Sequence, residues 1–435
     1  MAEAVLSGAD SGNLENDSAR LPARAVAAPR IAVIWVPGLY ASPNTAVDAV
    51  ARRMASALDR RAATATARFG TAEQIEEIDR GKAGKVRRAS IVRRDGGEET
   101  PAVDVFELDY APTLLRPHLQ ATALRRWLEA SWVVISSLIL ALATYRHRRG
   151  KSLMEKLQLV FGGLWLLLLI GYVWLLFLGV VVAINALFDL ELGTWLGMAG
   201  GWWDTTSQVI GGLLVVALGA SATIPAMRAR LEQAGAATIS AFAYLRIGRQ
   251  RPALTGKLAD LVEHIAEAGQ TYRRVDVIAN SFGSLIALDT LFPHDAKPEP
   301  RLAMIKGLVT IGCPYDAVRA MWPGYANRRL GLDDAPSGWL NVYSPHDVFG
   351  SNFRDDSKDE APNVVVAEGT AGVVHQPSNL VFRAGQASDS LTILDVLVLG
   401  GFRAHGRYWG DQEEAENTCF NAIVGELFSD DEVLD

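Results

Sequence analysis

Hydrophobic and polar positions divide this chain into three kinds of stretch. The first kind is short apolar runs bounded by turn residues, which read as strands. Ile31–Val36, Val86–Arg93, Val103–Leu108, Val275–Ala279, Gly307–Ile311 and Trp339–Tyr343 are of this type, with a turn near Asp95-Gly96-Gly97 between the second and third. The second kind has helical spacing. Asn44–Arg61 follows the first strand, and Leu254–Ala268 places apolar residues at 254, 258, 261, 262 and 265. Strands alternating with helices predict an α/β fold with a mostly parallel sheet. Arg354–Pro362 is a charged stretch that reads as a solvated loop, and no internal repeat is visible.

The third kind is apolar all round. Leu159–Phe188 carries no charged residue and, at about 1.5 Å per residue, exceeds the roughly 30 Å of a bilayer's hydrocarbon core. Val209–Met227 is a second uncharged stretch of spanning length. Ala130–Tyr145 is a third, short for a span and bounded by Glu129 and Arg146. A buried core helix could also be apolar, but few soluble helices are apolar on every face.

These stretches lie between two halves of strand-and-helix pattern. If both halves build one sheet they lie on one side of the membrane, so the number of crossings is even. Charge selects among the candidates. Arg125 and Arg126 precede the short segment; Arg146, His147, Arg148, Arg149, Lys151 and Lys156 follow it; Arg228 and Arg230 follow the last one. The loop between the long stretches instead carries Asp189, Glu191 and Asp204, with Trp195, Trp202 and Trp203 suited to interfaces. The expected arrangement is a hairpin of spans at 159–188 and 209–227, with 130–145 re-entrant or lying along the cytoplasmic surface. The rival, with the short and first long segments spanning, leaves four arginines on the opposite side. The expected domains are a leader at 1–30, a discontinuous α/β domain at 31–126 and 228–435, and a membrane insertion at 127–227.

Candidate chemistry sits at the strand Val275–Ala279. It runs into Asn280-Ser281-Phe282-Gly283, and a helical pattern starts at Leu285. Ala279-Asn280-Ser281-Phe282-Gly283 differs from the pattern Gly-x-Ser-x-Gly only in its first residue. A serine at a sharp strand-to-helix turn is pushed out of the backbone, where a base can reach it. A loop serine capping a helix uses the same residue type. An acyl-transfer site needs two preorganised N–H donors for its oxyanion. Phe282 supplies one candidate, and Leu39 or Tyr40, after the apolar strand that ends in Pro37-Gly38, supplies the other. Asp347, in the turn Ser344-Pro345-His346-Asp347, is the favoured acid, with Asp316 its rival. His405, in Arg403-Ala404-His405-Gly406, is the favoured base, with His375 and His346 as rivals; His264 falls on a helix as a surface or packed residue.

The chain resembles the α/β-hydrolase superfamily in its lipase and esterase branch. The resemblance rests on Val36-Pro37-Gly38-Leu39, Ala279-Asn280-Ser281-Phe282-Gly283, Thr310-Ile311-Gly312-Cys313-Pro314, Ser344-Pro345-His346-Asp347 and His405 with Tyr408-Trp409. It covers Ile31–Tyr110 and roughly Ser240–Leu427. It implies helices on both faces of the sheet and a Ser281-His405-Asp347 mechanism without metal or cofactor. Pro37, where lipases often have His, and Ala279 depart from the pattern.

Bulk properties narrow the setting. The 435 residues suit one large domain with an insertion, or two domains. The formal net charge of −7 gives no footprint for nucleic acid. Two cysteines, Cys313 and Cys419, make no disulfide framework. The Ala-, Ser- and Asp-rich start lacks the basic-then-apolar run of a signal peptide. The expected protein is a membrane-anchored serine hydrolase whose partners are the bilayer and an ester or lipid substrate. The alternatives are a thioesterase or peptidase with the same triad, or a catalytically silent, membrane-tethered interaction module. The oligomeric state leaves no mark in the sequence.

Overall fold

Ile31, Val33 and Trp35 bury on one side of the first strand, and Ala32, Ile34 and Val36 on the other. Because successive side chains point to opposite faces, a strand apolar on both must lie inside a sheet covered twice. The computed structural model describes residues 30–39, 45–62, 68–72, 76–79, 85–122, 125–133, 135–136, 139, 236–246, 248, 250–267, 272–354, 362–383, 404–410 and 417–428.

In chain order these form β1 (Arg30–Val36), α1 (Val47–Arg61), β2 (Arg68–Thr71), β3 (Glu76–Asp79), β4 (Lys85–Asp95), β5 (Glu98–Glu107) and α2 (Ala111–Leu119). Helical residues 125–133 and 236–246 follow. Then come α3 (Arg251–Glu267), β6 (Tyr272–Asn280), α4 (Phe282–Leu291), β7 (Ile305–Ile311), α5 (Tyr315–Met321) and β8 (Gly338–Tyr343). Last are β9 (Ala367–Glu368), β10 (Val374–His375), β11 (Ser378–Val381) and α6 (Cys419–Leu427).

The sheet order is β11-β8-β7-β6-β1-β5-β4-β2, with β3 also paired to β4. Pairing is parallel from β11 through to β5 and antiparallel beyond it. The fold is therefore α/β, with a largely parallel central sheet flanked by helices. One core joins Ile31, Val33 and Trp35 to Val50, Met54 and Leu58 of α1 and Phe420 and Ile423 of α6. The other joins Ala32, Ile34 and Val36 to Leu114 of α2, Leu258 and Val262 of α3 and Leu285 and Leu288 of α4.

Boundaries differ from the sequence pattern in physically readable ways. β1 begins at Arg30, the last residue of the expected leader, because Arg30 pairs with Tyr272 and its guanidinium lies 3.4 Å from the buried Asp104. β4 and β5 are longer than their apolar runs, extending as a hairpin to Gly96 and Gly97, both at positive φ (58° and 95°). The expected junction at 126/127 falls inside helical residues 125–133. The spans at 159–188 and 209–227 lie outside the described residues. Among the described residues, no helix is long and apolar enough to cross a membrane.

Candidate active site

β1 and β6 are neighbours whose onward connections leave in opposite directions, β1 toward β5 and β6 toward β7 and β8. In open α/β sheets the crevice at the carboxyl ends of such a pair is where ligands bind. Ser281 stands there, directly after β6, with φ 51° and ψ −122°. That conformation costs on the order of 1–3 kcal/mol for a residue with a side chain and must be held by its surroundings. The serine N–H bonds the Ile311 carbonyl at 2.8 Å, and its carbonyl accepts the Ser284 N–H at 3.0 Å. Ser284 Oγ donates back to the Ala279 carbonyl at 2.9 Å.

Small residues make the turn possible. A Cβ on Gly283 would stand 2.3 Å from the Pro37 carbonyl oxygen and 2.5 Å from that of Val36. A Cβ on Gly38 would stand 2.7 Å from Asn280 Oδ1 and 3.3 Å from Ser281 Cβ. The loop after β1 and the serine turn are thus in contact. Ala279 is wholly buried in the helix-side core, so a methyl fits where the motif has glycine.

His405 Nε2 lies 2.7 Å from Ser281 Oγ, and its Nδ1 lies 2.8 Å from Asp347 Oδ2. The carboxylate can only accept, so Nδ1 carries the proton and Nε2 is left to receive the serine hydroxyl. Asp347 is fully buried. Its Oδ1 accepts the Phe349 N–H at 2.9 Å, and its Oδ2 also accepts the Tyr408 hydroxyl at 2.8 Å. The imidazole is held between the rings of Phe349 and Tyr408, edge-on at 5.3 Å and 6.4 Å. Gly312, at φ 56°, closes the space behind; a Cβ there would reach Tyr408 Cε2 at 2.9 Å, Asp347 Oδ2 at 3.1 Å and His405 Cε1 at 3.3 Å.

Phe282 is the first residue of α4, so its N–H has no acceptor within the helix. Leu39 packs partly buried against the same core. The carbonyl of Pro37 in that loop is fixed by the Tyr110 hydroxyl at 3.0 Å. Tyr40 lies outside the described residues. The far end of α4 is anchored by the buried Asp289, which receives Arg329 at 2.7 Å, Tyr244 at 2.8 Å and Tyr325 at 3.0 Å. Tyr244 in turn meets the Phe282 ring edge-on at 5.3 Å.

The rival residues lie elsewhere or face away. Asp316 pairs with Arg319 at 3.3 Å and accepts the Phe353 N–H. His375 is buried against Phe292, with ring centroids 5.0 Å apart, and burial lowers its pKa. His346 is exposed beside Asp347, and His264 is half-buried on α3. Two residues of the site carried no assigned role in the sequence: Gly312 and Tyr408. Both stand within stretches that bear the family resemblance. Among the described residues no cluster of His, Cys, Asp and Glu could hold a metal. A cavity of about 560 Å³ opens at the opposite end of the sheet, lined by Arg273, Arg274 and Lys306, and is remote from Ser281.

This geometry can move a proton from a serine hydroxyl to an imidazole whose developing charge faces a buried carboxylate. No protein-family model matches the chain, and neither a curated protein nor a solved structure matches it.

Proposed function

We propose that this chain is a serine hydrolase that cleaves an ester, with the architecture of the α/β-hydrolase superfamily, anchored in a membrane. The observation that carries the reading is the unbroken relay of 2.7 Å from Ser281 Oγ to His405 Nε2 and 2.8 Å from His405 Nδ1 to Asp347. The order along the chain supports it: serine after β6, acid after β8, histidine after β11.

In the proposed reaction Ser281 Oγ bonds to the ester carbonyl carbon while its proton passes to His405 Nε2. Amides of Phe282 and Leu39 receive the oxyanion. Collapse breaks the bond to the alcohol, which leaves with the proton from Nε2. Water, deprotonated by the same nitrogen, then displaces the acyl group and restores Ser281.

The membrane placement rests on the charge-free runs at 159–188 and 209–227 and on one surface feature. Leu128, Trp132, Ile135 and Ile139 are 53 %, 59 %, 53 % and 62 % exposed. Their spacing puts them on one helical face. Ala130 and Val133 of the same segment are buried against Ile239. The exposed stripe has arginines beside it at 125 and 126 and, in sequence, Arg146, Arg148 and Arg149 beyond it. That is the makeup of a segment lying on an anionic bilayer surface. An ester resident in or delivered from the bilayer is the substrate class that suits this placement, with the α/β domain on the cytoplasmic side.

The test is hydrolysis of a series of p-nitrophenyl acyl esters by the purified full chain. Wild type is expected to turn over and Ser281→Ala to fall to background. Equal turnover by the two would remove Ser281 from the reaction.

A further inference from the structure

We infer that Tyr408 is a positioning residue, acting through Asp347 to set how readily His405 takes up the serine proton; this rests on the hydrolase reading above. Its hydroxyl donates to Asp347 Oδ2 at 2.8 Å, the same oxygen that His405 Nδ1 approaches at 2.8 Å. The same hydroxyl accepts the Ser344 N–H at 2.9 Å. With one lone pair engaged by that amide, the phenol proton is aimed at the carboxylate rather than free to rotate. The ring is fixed as well as the hydroxyl. Phe382 stacks on it at 5.9 Å and 25°, and Gly312 leaves room for its Cε2 edge.

Tyr408 is fully buried, and burial together with the neighbouring Asp347 holds its phenol well above the ordinary range. It therefore stays a donor through the working pH range. Among the described residues, the groups facing this cluster besides Asp347 and His405 include Ser281 from the β6–α4 turn, the buried thiol of Cys419 from α6, and Arg53 from α1, whose Nε donates to the Trp409 carbonyl at 3.0 Å. Arg53 is already committed to the backbone, and burial pushes the Cys419 thiol up so that it stays neutral. The phenol thus shares carboxylate Oδ2 with the imidazole, while the Phe349 N–H is bound to Oδ1.

The consequence has a sign. With the phenol donating, charge on Oδ2 is divided between two donors. Without it, Nδ1–H is the one donor left on Oδ2 among the described residues, and more of the charge stabilises the imidazolium. His405 would then hold its proton to higher pH, and less of the neutral base would be present near neutrality.

The test measures the rate of fluorophosphonate labelling of the full chain against pH, from about 5 to about 9, for wild type and Tyr408→Phe. The expected result is a rising limb displaced upward by on the order of 0.5–1 pH unit. Labelling near pH 7 should fall about three- to tenfold, and the high-pH plateau should approach wild type. An unchanged midpoint, with or without a lower plateau, would overturn the inference and leave Tyr408 a wall residue. If Tyr408→Phe fails to fold, replacing Tyr408 by a fluorinated tyrosine keeps the ring and strengthens the donor. The limb should then move to lower pH, and no movement would overturn the inference. A wild type that does not label at any pH would instead overturn the hydrolase reading, and this inference with it.

Discussion

Asp347 lies fully buried, and among the described residues its carboxylate accepts from the imidazole, the phenol and the Phe349 amide. Asp347→Asn keeps the shape but can present an amide N–H to Nδ1, which favours the tautomer with its proton on Nε2, facing Ser281. Labelling should then fall on the order of 10³–10⁴-fold, with the thermal midpoint lowered by only a few degrees. A loss below about tenfold, measured as a labelling rate at pH 7.5, would contradict the tautomer argument. Gly312 gives a second expectation. Gly312→Ala adds a methyl at φ 56° and within 2.9 Å of the Tyr408 ring. It should cost about 1–3 kcal/mol in unfolding free energy and disturb labelling more than any exposed substitution does. How much of the site the sequence carried is clearest here. Ser281 was legible because strand, small residues and helix are contiguous around it. His405 and Asp347 were legible only by order, since Asp316 also follows a parallel strand and no local pattern separates them. The Tyr408–Asp347 contact was not legible, because it joins residues 61 apart in sequence.

Among the elements, β1, β6, β7 and β8 stood out because each contains a short, mostly apolar run bounded by turn residues. β2, β3 and β11 did not, being short and mixed in polarity at the sheet's margins. α2 was hidden by Pro112 and Pro117, which depress helix propensity although Pro112 sits in the first turn, where it is tolerated. The helical segment carrying Leu128, Trp132, Ile135 and Ile139 gives the element-scale prediction. Cys313 and Cys419 are buried, so Ile135→Cys can be spin-labelled selectively in proteoliposomes. If the stripe lies in the bilayer, the label will relax more with oxygen than with a water-soluble nickel chelate. Greater exposure to the chelate, or a label immobilised and shielded from both, would contradict bilayer contact.

At the scale of the whole molecule, a buried carboxylate inside the sheet and the candidate site at the strands' carboxyl ends make separate predictions. Asp276, the central residue of β6, is buried with Oδ2 lacking a hydrogen bond among the described residues. Burial raises its pKa to about 6 despite Arg274 at 2.8 Å. Because the folded value exceeds the unfolded one near 3.8, the native state binds the proton more tightly. The stabilisation is complete below about pH 4 and is lost as pH rises through about 6, at most about 3 kcal/mol in all. Asp276→Asn should flatten that part of the stability curve, read as thermal midpoint against pH; an equal slope in wild type and variant would refute the assignment. At the carboxyl ends of the strands, the junction of β1 and β6 gathers residues from both halves of the chain, so the candidate site exists only if the halves build one sheet across the 127–227 segment. The most direct test of that site is to map a fluorophosphonate adduct by mass spectrometry on the folded full chain. The account predicts a single adduct on Ser281, abolished in His405→Ala. No adduct on folded protein, or an adduct on another serine, would contradict it.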